Sequence, residues 1–294
     1  MTMEYATKSR DRATDQVIGT VNYIRNPPLP TEPGLEHHTE DEPRTTMIVE
    51  PGRAVTITDA RPARDSFTLD NQGFQLVDHA SAIADMSPIE EDAAMAALYR
   101  TEIRELMLQV TGADEIIVRP GIKKRLGESA VAQLAALKNA KPARYVHADN
   151  SDSASDAAQK GVLAARPDLD PTAFSRFAIY NIWRSISAPP QDIPLALCDA
   201  RSVAPGDPVV VTAITIDSTY GDIRHETLGF RYNPDHRWYY FSDMTSREVL
   251  IFKQHDSDPA RPRRVPHSAF DDPSCPPVAH TRCSVEIRVV ALFR

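Results

Sequence analysis

Apolar and polar positions alternate in short runs along most of this chain, and turn residues separate the runs. Positions 16–25 (QVIGTVNYIR) alternate in part and predict a strand, as do 54–60 (AVTITDA), 73–77 and 114–118. From Tyr145 onward strand-like segments dominate, at 177–183, 195–200, 208–216, 227–232, 238–241, 249–253 and 283–293. Turn signals such as Pro205-Gly206-Asp207 and Asn233-Pro234-Asp235 separate them. The period changes to a helical one at 87–111. There Ser87-Pro88-Ile89-Glu90 offers an N-cap, a first-position proline and a third-position glutamate, and Gly112 supplies the stop. Shorter helical patterns occupy 128–137, which is Ala-rich, and 155–165. The segment 26–44, rich in Pro, Glu and His, predicts a loop crossing the surface.

These elements predict a mainly β fold with flanking helices (α+β), its strands wound as a sandwich, jelly roll or barrel. We expect one domain over 1–294, in which 1–144 supplies N-terminal strands and flanking helices and 145–294 most of the β core. Gly-x-Gly-x-x-Gly and P-loop patterns are absent, so nothing points to a parallel nucleotide-binding sheet.

Composition narrows the partners. With 33 basic against 41 acidic residues the formal charge is −8, which argues against nucleic acid as a partner. Residues 1–26 lack the apolar core of a signal peptide and no run approaches membrane-spanning length, so no membrane partner is expected. Three scattered cysteines, Cys198, Cys275 and Cys283, form neither a disulfide framework nor a zinc spacing. A reducing, cytoplasmic setting follows as the expectation. Twenty-four prolines against eleven glycines predict many ordered loops and few long helices.

The candidate chemistry begins at Tyr145-Val146-His147-Ala148-Asp149-Asn150. An imidazole and a carboxylate two residues apart lie on one side of an extended strand. They supply two legs of a 2-His-1-carboxylate facial triad, which leaves positions open on Fe(II) for a cosubstrate and O2. The bland alternative is a strand-edge histidine beside a solvated aspartate. His38-Thr39-Glu40 is formally a rival, but its Pro- and acid-rich setting reads as a solvated segment. A third ligand must come from His225, His236, His255, His267 or His280. His255 sits where a strand ends in charge and reads as solvated. His236 lies in a turn and suits a structural hydrogen bond. His267 has apolar neighbours and precedes the last strand, so it is preferred, with His236 next.

Arg282 and Ser284 are two apart at the start of that last strand and point the same way. A guanidinium fork with a hydroxyl suits the distal carboxylate of a dicarboxylate cosubstrate. The alternative is a surface strand end with Arg282 paired to a residue such as Glu286. Asn181 and Trp183 share a face of their strand and are candidates to line a substrate pocket, against the plainer reading of Trp183 as a core aromatic.

Five stretches taken together resemble one family: Asn181-Ile182-Trp183-Arg184, Pro194-Leu195-Ala196-Leu197-Cys198-Asp199, His236-Arg237-Trp238-Tyr239-Tyr240-Phe241, Pro266-His267-Ser268-Ala269-Phe270-Asp271-Asp272-Pro273 and Arg282-Cys283-Ser284-Val285-Glu286-Ile287-Arg288. The chain is similar, over roughly 15–293, to the gibberellin desaturase-like group of hydroxylases and desaturases. That group includes the aspergillic acid pathway oxidase and resembles the cephamycin methoxylation protein. The resemblance implies a non-haem Fe(II), 2-oxoglutarate-dependent oxygenase on a double-stranded β-helix. It would use O2 to hydroxylate, desaturate or cyclise a small-molecule substrate of secondary metabolism. Carried over by position, it implies His147, Asp149 and His267 as iron ligands and Arg282 with Ser284 as the 2-oxoglutarate site. Two other classes stay open on the residues alone: a cupin-like metal enzyme without 2-oxoglutarate, and a non-catalytic ligand-binding barrel.

Overall fold

The computed structural model describes residues 15–25, 35–38, 45–47, 49–127, 141–217, 221–277 and 279–294. Its N-terminal half holds β1 (Gln16–Ile24), β2 (Leu35–His38), β3 (Val49–Asp59), β4 (Phe74–Asp78), α1 (Ala93–Thr111) and β5 (Glu115–Leu126). Then follow β6 (His147–Ala148), α2 (Asp152–Ala164), β7 (Arg176–Ser185), β8 (Leu195–Cys198), β9 (Pro208–Asp217) and β10 (Gly221–Phe230). The chain ends with β11 (Trp238–Tyr240), β12 (Glu248–Asp256), β13 (His267–Ala269) and β14 (Cys283–Phe293). The strands form a nine-stranded sheet, β1-β3-β11-β8-β13-β6-β10-β9-β2, and a five-stranded sheet, β4-β12-β7-β14-β5. Together they wind into a jelly roll, the mainly β fold expected from the strand pattern.

The two sheets face each other across an apolar layer in which Phe74, Trp183, Leu250 and Phe252 of the smaller sheet meet Leu195, Leu197 and Phe241 of the larger side. The larger sheet curls until its edge strand returns on itself. Asn22 of β1 bridges to Tyr145, and the Val146 amide donates to the Asn22 carbonyl at 2.8 Å. The approach is close enough that a Cβ on Gly229 of β10 would stand 2.8 Å from Ile24 Cγ2.

α1 covers the outer face of the smaller sheet. Tyr99, Ile103 and Met107 recur at helical spacing and are buried against Ile182, Val285, Ile287 and Val289. The expected start at Ser87 is five residues early. The Ser87 amide is taken by Asp85 Oδ1, and the Glu90 carboxylate accepts from the Lys124 amide of β5 instead of closing a capping box. Residues 88–91 therefore make turns, and Asp92 caps the helix by accepting from the Met95 amide. Gly112 stops it in the left-handed region at φ 65°.

Two other expectations are corrected. The segment 26–44 is not all loop, because Leu35–His38 pairs in parallel with β9; its flanks lie outside the described residues. β5 continues past the predicted end at 118, running through Arg119-Pro120-Gly121. Its register against β14 shifts there: Val118 faces Val289 and Ile122 faces Ile287, so three residues oppose the single Arg288. His267 lies on a short strand that its local pattern does not announce. The helix expected at 128–137 falls outside the described residues. Among the described residues no helix is long and apolar enough to cross a membrane.

Ile103 is fully buried between α1 and the smaller sheet. Ile103→Ala should cost about 2–5 kcal/mol of stability through lost burial and a residual cavity. A denaturant titration checks this, and a change within error would mean that α1 does not pack as described.

Candidate metal centre

β6 and β13 are neighbours in the larger sheet, and His147 pairs directly with His267 across them. Opposed side chains on one face of a sheet are close, and these two ring centroids are 4.2 Å apart. Asp149, two residues beyond His147, reaches the same side. Its Oδ1 lies 3.6 Å from His147 Nε2 and 3.9 Å from His267 Nε2. One ligand atom from each of the three residues lies within 4.8 Å of the others.

The hydrogen bonds around this trio decide which atoms are free. His147 Nδ1 is 2.8 Å from the Tyr145 carbonyl, and His267 Nδ1 is 3.2 Å from the Val265 carbonyl. A carbonyl oxygen only accepts, so both Nδ1 atoms carry the proton and both Nε2 lone pairs face the gap. Asp149 Oδ2 is occupied on its far side. It accepts from Asn181 Nδ2 at 2.6 Å, from Arg288 Nε at 3.0 Å and from Arg288 Nη2 at 2.8 Å. Asp149 Oδ1 is thereby turned toward the two imidazoles. Two neutral nitrogens and one carboxylate oxygen converge at separations too long for mutual hydrogen bonds. This donor set fits a divalent first-row metal held on one face, with positions left open.

The electrostatics agree with that geometry. Burial resists ionisation of Asp149, but the Arg288 guanidinium, with the histidines and the Asn181 hydrogen bond, holds the carboxyl well below the usual carboxylate range. Burial and the neighbouring His267 bring His147 down to about 4, and burial also lowers His267. The site is therefore ready for metal at neutral pH: carboxylate ionised, imidazoles neutral.

The smaller sheet supplies the rest in a row of inward-facing pairs: Asn181 with Arg288, Trp183 with Glu286, and Ser185 with Ser284. Asn181 spends its amide on Asp149. Arg288 bridges Asp149 and Glu286. Arg282, fully inside the fold, lies beyond that row with its guanidinium 5.2 Å from the centre of the Trp183 ring. Its Nε is 3.5 Å from Ser284 Oγ and its Nη1 donates to the Ile193 carbonyl at 3.1 Å. Glu286 is taken by Arg288, so the surface pairing of Arg282 with Glu286 is not formed. Burial lowers Arg282 to about 10, which leaves it charged at neutral pH without a carboxylate partner among the described residues. Trp183 Nε1 is likewise a buried donor without a partner.

Two of the other candidate histidines are used elsewhere, and His225 lines a cleft beside Asp149. His236 Nδ1 is 2.9 Å from the Tyr23 hydroxyl and its Nε2 is 3.1 Å from Asp207 Oδ2, which makes it structural. His255 is buried and stacked on Phe177, not solvated as its charged neighbours suggested. Reading the sequence offered Arg288 only as a substitute for Arg282 at the cosubstrate site, not as the partner of Asp149, and did not find Gln254, whose Oε1 accepts from the Asp149 amide at 2.7 Å. A signal for Arg288 existed: it continues the alternation of Ser284 and Glu286 along β14.

Comparison with known proteins agrees with this picture. Residues 21–292 match a family model described as an oxidoreductase/YMDC permease-like domain. The chain is 30% identical over 285 residues to the hydroxylase/desaturase efuI of Hormonema carpetanum, covering 90% of this chain and 93% of that protein. It is 31% identical over 237 residues to the Fe(II)/2-oxoglutarate-dependent dioxygenase nvfI of Aspergillus novofumigatus, covering 80% and 81%. A solved structure of the iron and alpha-ketoglutarate-dependent endoperoxidase NvfI superimposes with a TM-score of 0.82 at 27% identity, covering 95% of this chain and 98% of that one.

The depressed histidines set the pH behaviour. Co(II) affinity should fall by much less than about 100-fold from about pH 7 to pH 5.5, because burial holds His147 at about 4 and lowers His267 as well, whereas two imidazoles at the ordinary value of about 6.5 would together lose about 100-fold. Without metal the same shift lowers stability as pH falls from about 6.5 toward 4, since the unfolded chain binds more protons in that window. Anaerobic Co(II) titrations at both pH values check the first, and a 100-fold loss would show ordinary histidines.

Proposed function

The chain belongs to the family of Fe(II)/2-oxoglutarate-dependent oxygenases, and from that premise we propose that His147, Asp149 and His267 hold its iron and that Arg282 and Ser284 hold the distal carboxylate of 2-oxoglutarate. It is an oxidoreductase that uses Fe(II), 2-oxoglutarate and O2 to oxidise a small molecule of secondary metabolism. Relatives named hydroxylase/desaturase and endoperoxidase span the outcomes open to it: hydroxylation, desaturation or oxygen-bridged ring formation. The observation that carries the residue assignment is the convergence of two Nε2 lone pairs with Asp149 Oδ1, every neighbouring nitrogen and oxygen of the trio being bonded elsewhere.

When bound there, iron supplies the oxidising chemistry with 2-oxoglutarate and O2, and the chain's own residues fix its setting. Asn181 and Arg288 anchor Asp149 through one oxygen, so the carboxylate presents the other and keeps its orientation. Phe252, whose ring centre lies 4.9 Å from that of His267, joins Leu197 and Val265 in walling the site from water. Arg282 is a buried cation bonded only to neutral oxygens. That is costly unless an anion arrives, and a carboxylate beside Ser284 supplies one. Trp183 Nε1 is a further free donor in this region. These groups favour 2-oxoglutarate use over a metal enzyme lacking it, and over a non-catalytic barrel. Trp183 is read as lining that pocket and Asn181 as a positioning residue.

We further read 1–294 as one oxygenase domain. The support is that β1 and β3 enter the larger sheet and β4 and β5 the smaller, alongside strands of 145–294. Three free cysteines support the cytoplasmic reading, and the net charge of −8 supports a small molecule over nucleic acid as partner.

Arg282→Leu should raise the 2-oxoglutarate concentration needed for half-maximal succinate release by at least about tenfold, since bonds to charged groups are worth about 1.5–3 kcal/mol and about 1.4 is one decade. Metal affinity should be unchanged, and Arg282→Lys should recover only part, keeping charge without the fork. Identical succinate curves for wild type and Arg282→Leu would remove Arg282 from the cosubstrate site.

A further inference from the structure

A cleft of about 950 Å³ opens onto the metal centre from the α2 side. Asp149, Asn150 and Arg288 line it, as do one face of α2, the bulged stretch of β5 and part of β10. The α2 face carries Ala154, Ala157, Ala158, Gly161 and Val162, spaced so that all lie on one side of the helix. With Ile117 and Val118 opposite, most of the wall is apolar, and its side chains are short enough to leave room for a bulky guest.

The guanidiniums of the cleft are, with one exception, paired with carboxylates within the protein. Arg166 pairs with Asp168, Arg224 with Glu36, and Arg288 with Asp149 and Glu286. Glu226 accepts from Ser151 and Ser153. Arg119 is the exception: among the described residues no carboxylate pairs with it. It stands in the β5 bulge, where Pro120 has no amide to give to the ladder and extra residues oppose Arg288. Bulges re-aim side chains, and this one carries a guanidinium to the cleft wall beside Arg288. A second free donor lies close by. Asn150 is more than nine-tenths buried, and its Nδ2 has no hydrogen-bond partner.

We propose that this cleft binds the substrate, and that the substrate is a largely apolar small molecule bearing a carboxylate that Arg119, with Asn150, holds beside the metal centre. The proposal rests on the reading of His147, Asp149 and His267 as the iron site. Arg282 lies among Ile193, Trp183 and Ser284 and is not part of the cleft wall. The two unpaired guanidiniums therefore address different anions, one on the cosubstrate and one on the substrate.

The test uses anaerobic protein loaded with Fe(II) and 2-oxoglutarate. Its probes are a rigid tricyclic carboxylic acid, dehydroabietic acid, and the methyl ester of that acid, with affinities measured by equilibrium dialysis. Wild type should bind the acid at least about tenfold more tightly than the ester, as a charge-assisted contact requires. Arg119→Gln should bring the two within about twofold by weakening the acid alone, and Arg119→Lys should restore part of the preference. Gly161→Leu, whose new side chain meets open space in the folded protein, should weaken acid and ester together. Equal binding of acid and ester by wild type, or no binding of either, would overturn the proposal. So would an Arg119→Gln variant that loses affinity for 2-oxoglutarate itself, read from the visible iron-to-2-oxoglutarate charge-transfer band. Absence of that band in wild type, with the acid preference intact, would refute the iron assignment and leave the cleft assignment standing.

Discussion

A buried carboxylate kept ionised, with one oxygen tied down and the other left free, is the constraint on which this structure turns. Asp149 rises from the larger sheet, yet its Oδ2 is held by Asn181 of β7 and Arg288 of β14 in the smaller one. Without those donors the charge would be too costly to bury. With them, the carboxylate pins the two sheets at a fixed spacing and faces Oδ1 toward His147 and His267. The same contacts therefore serve folding and chemistry, since they set the distance between the sheets and the direction of the free oxygen.

The inner face of the smaller sheet changes character along its length, and the site follows that change. At one end Ile179 and Val290 are apolar and pack with Leu163 of α2. Next come Asn181 and Arg288, which serve Asp149, then Trp183 with Glu286, and then Ser185 with Ser284 near Arg282. The outer face of the same strands stays apolar under α1. Strand alternation alone produces this division: each strand gives every second residue to scaffold and the others to the site. On the proposed assignments the space between the sheets is divided, with substrate access beside α2 and the cosubstrate at the opposite end of the row.

Part of this was legible in the sequence because it follows from period. The strands after Tyr145, the shared side of His147 and Asp149, and the pairing of Arg282 with Ser284 at the head of β14 all rest on local alternation. His267 was reachable only through its apolar neighbours and its place before the last strand, since a three-residue strand leaves no periodic trace. The contact of Arg288 with Asp149 was not legible, although Arg288 shares the face of Ser284, because its carboxylate partner rises from the other sheet. The proline and glycine of β5 read as a strand end, whereas the chain passes through them as a bulge. His255 was misjudged for a related reason. Charged sequence neighbours suggest solvent, but Lys253 and Asp256 neutralise each other inside the fold, at 2.7 Å. Nor does a helix start follow from capping residues alone, since Glu90 bonds to the amide of Lys124, thirty-four positions on.

The assignment of the metal to His147, Asp149 and His267 is tested most directly by anomalous scattering from crystals grown with Fe(II) under anaerobic conditions and recorded on either side of the iron absorption edge. The expected result is a single strong peak about 2 Å from His147 Nε2, His267 Nε2 and Asp149 Oδ1, the usual length of a metal–ligand bond. A peak on another group, such as the His236 and Asp207 pair, or no peak between the two imidazoles at full iron occupancy, would contradict it.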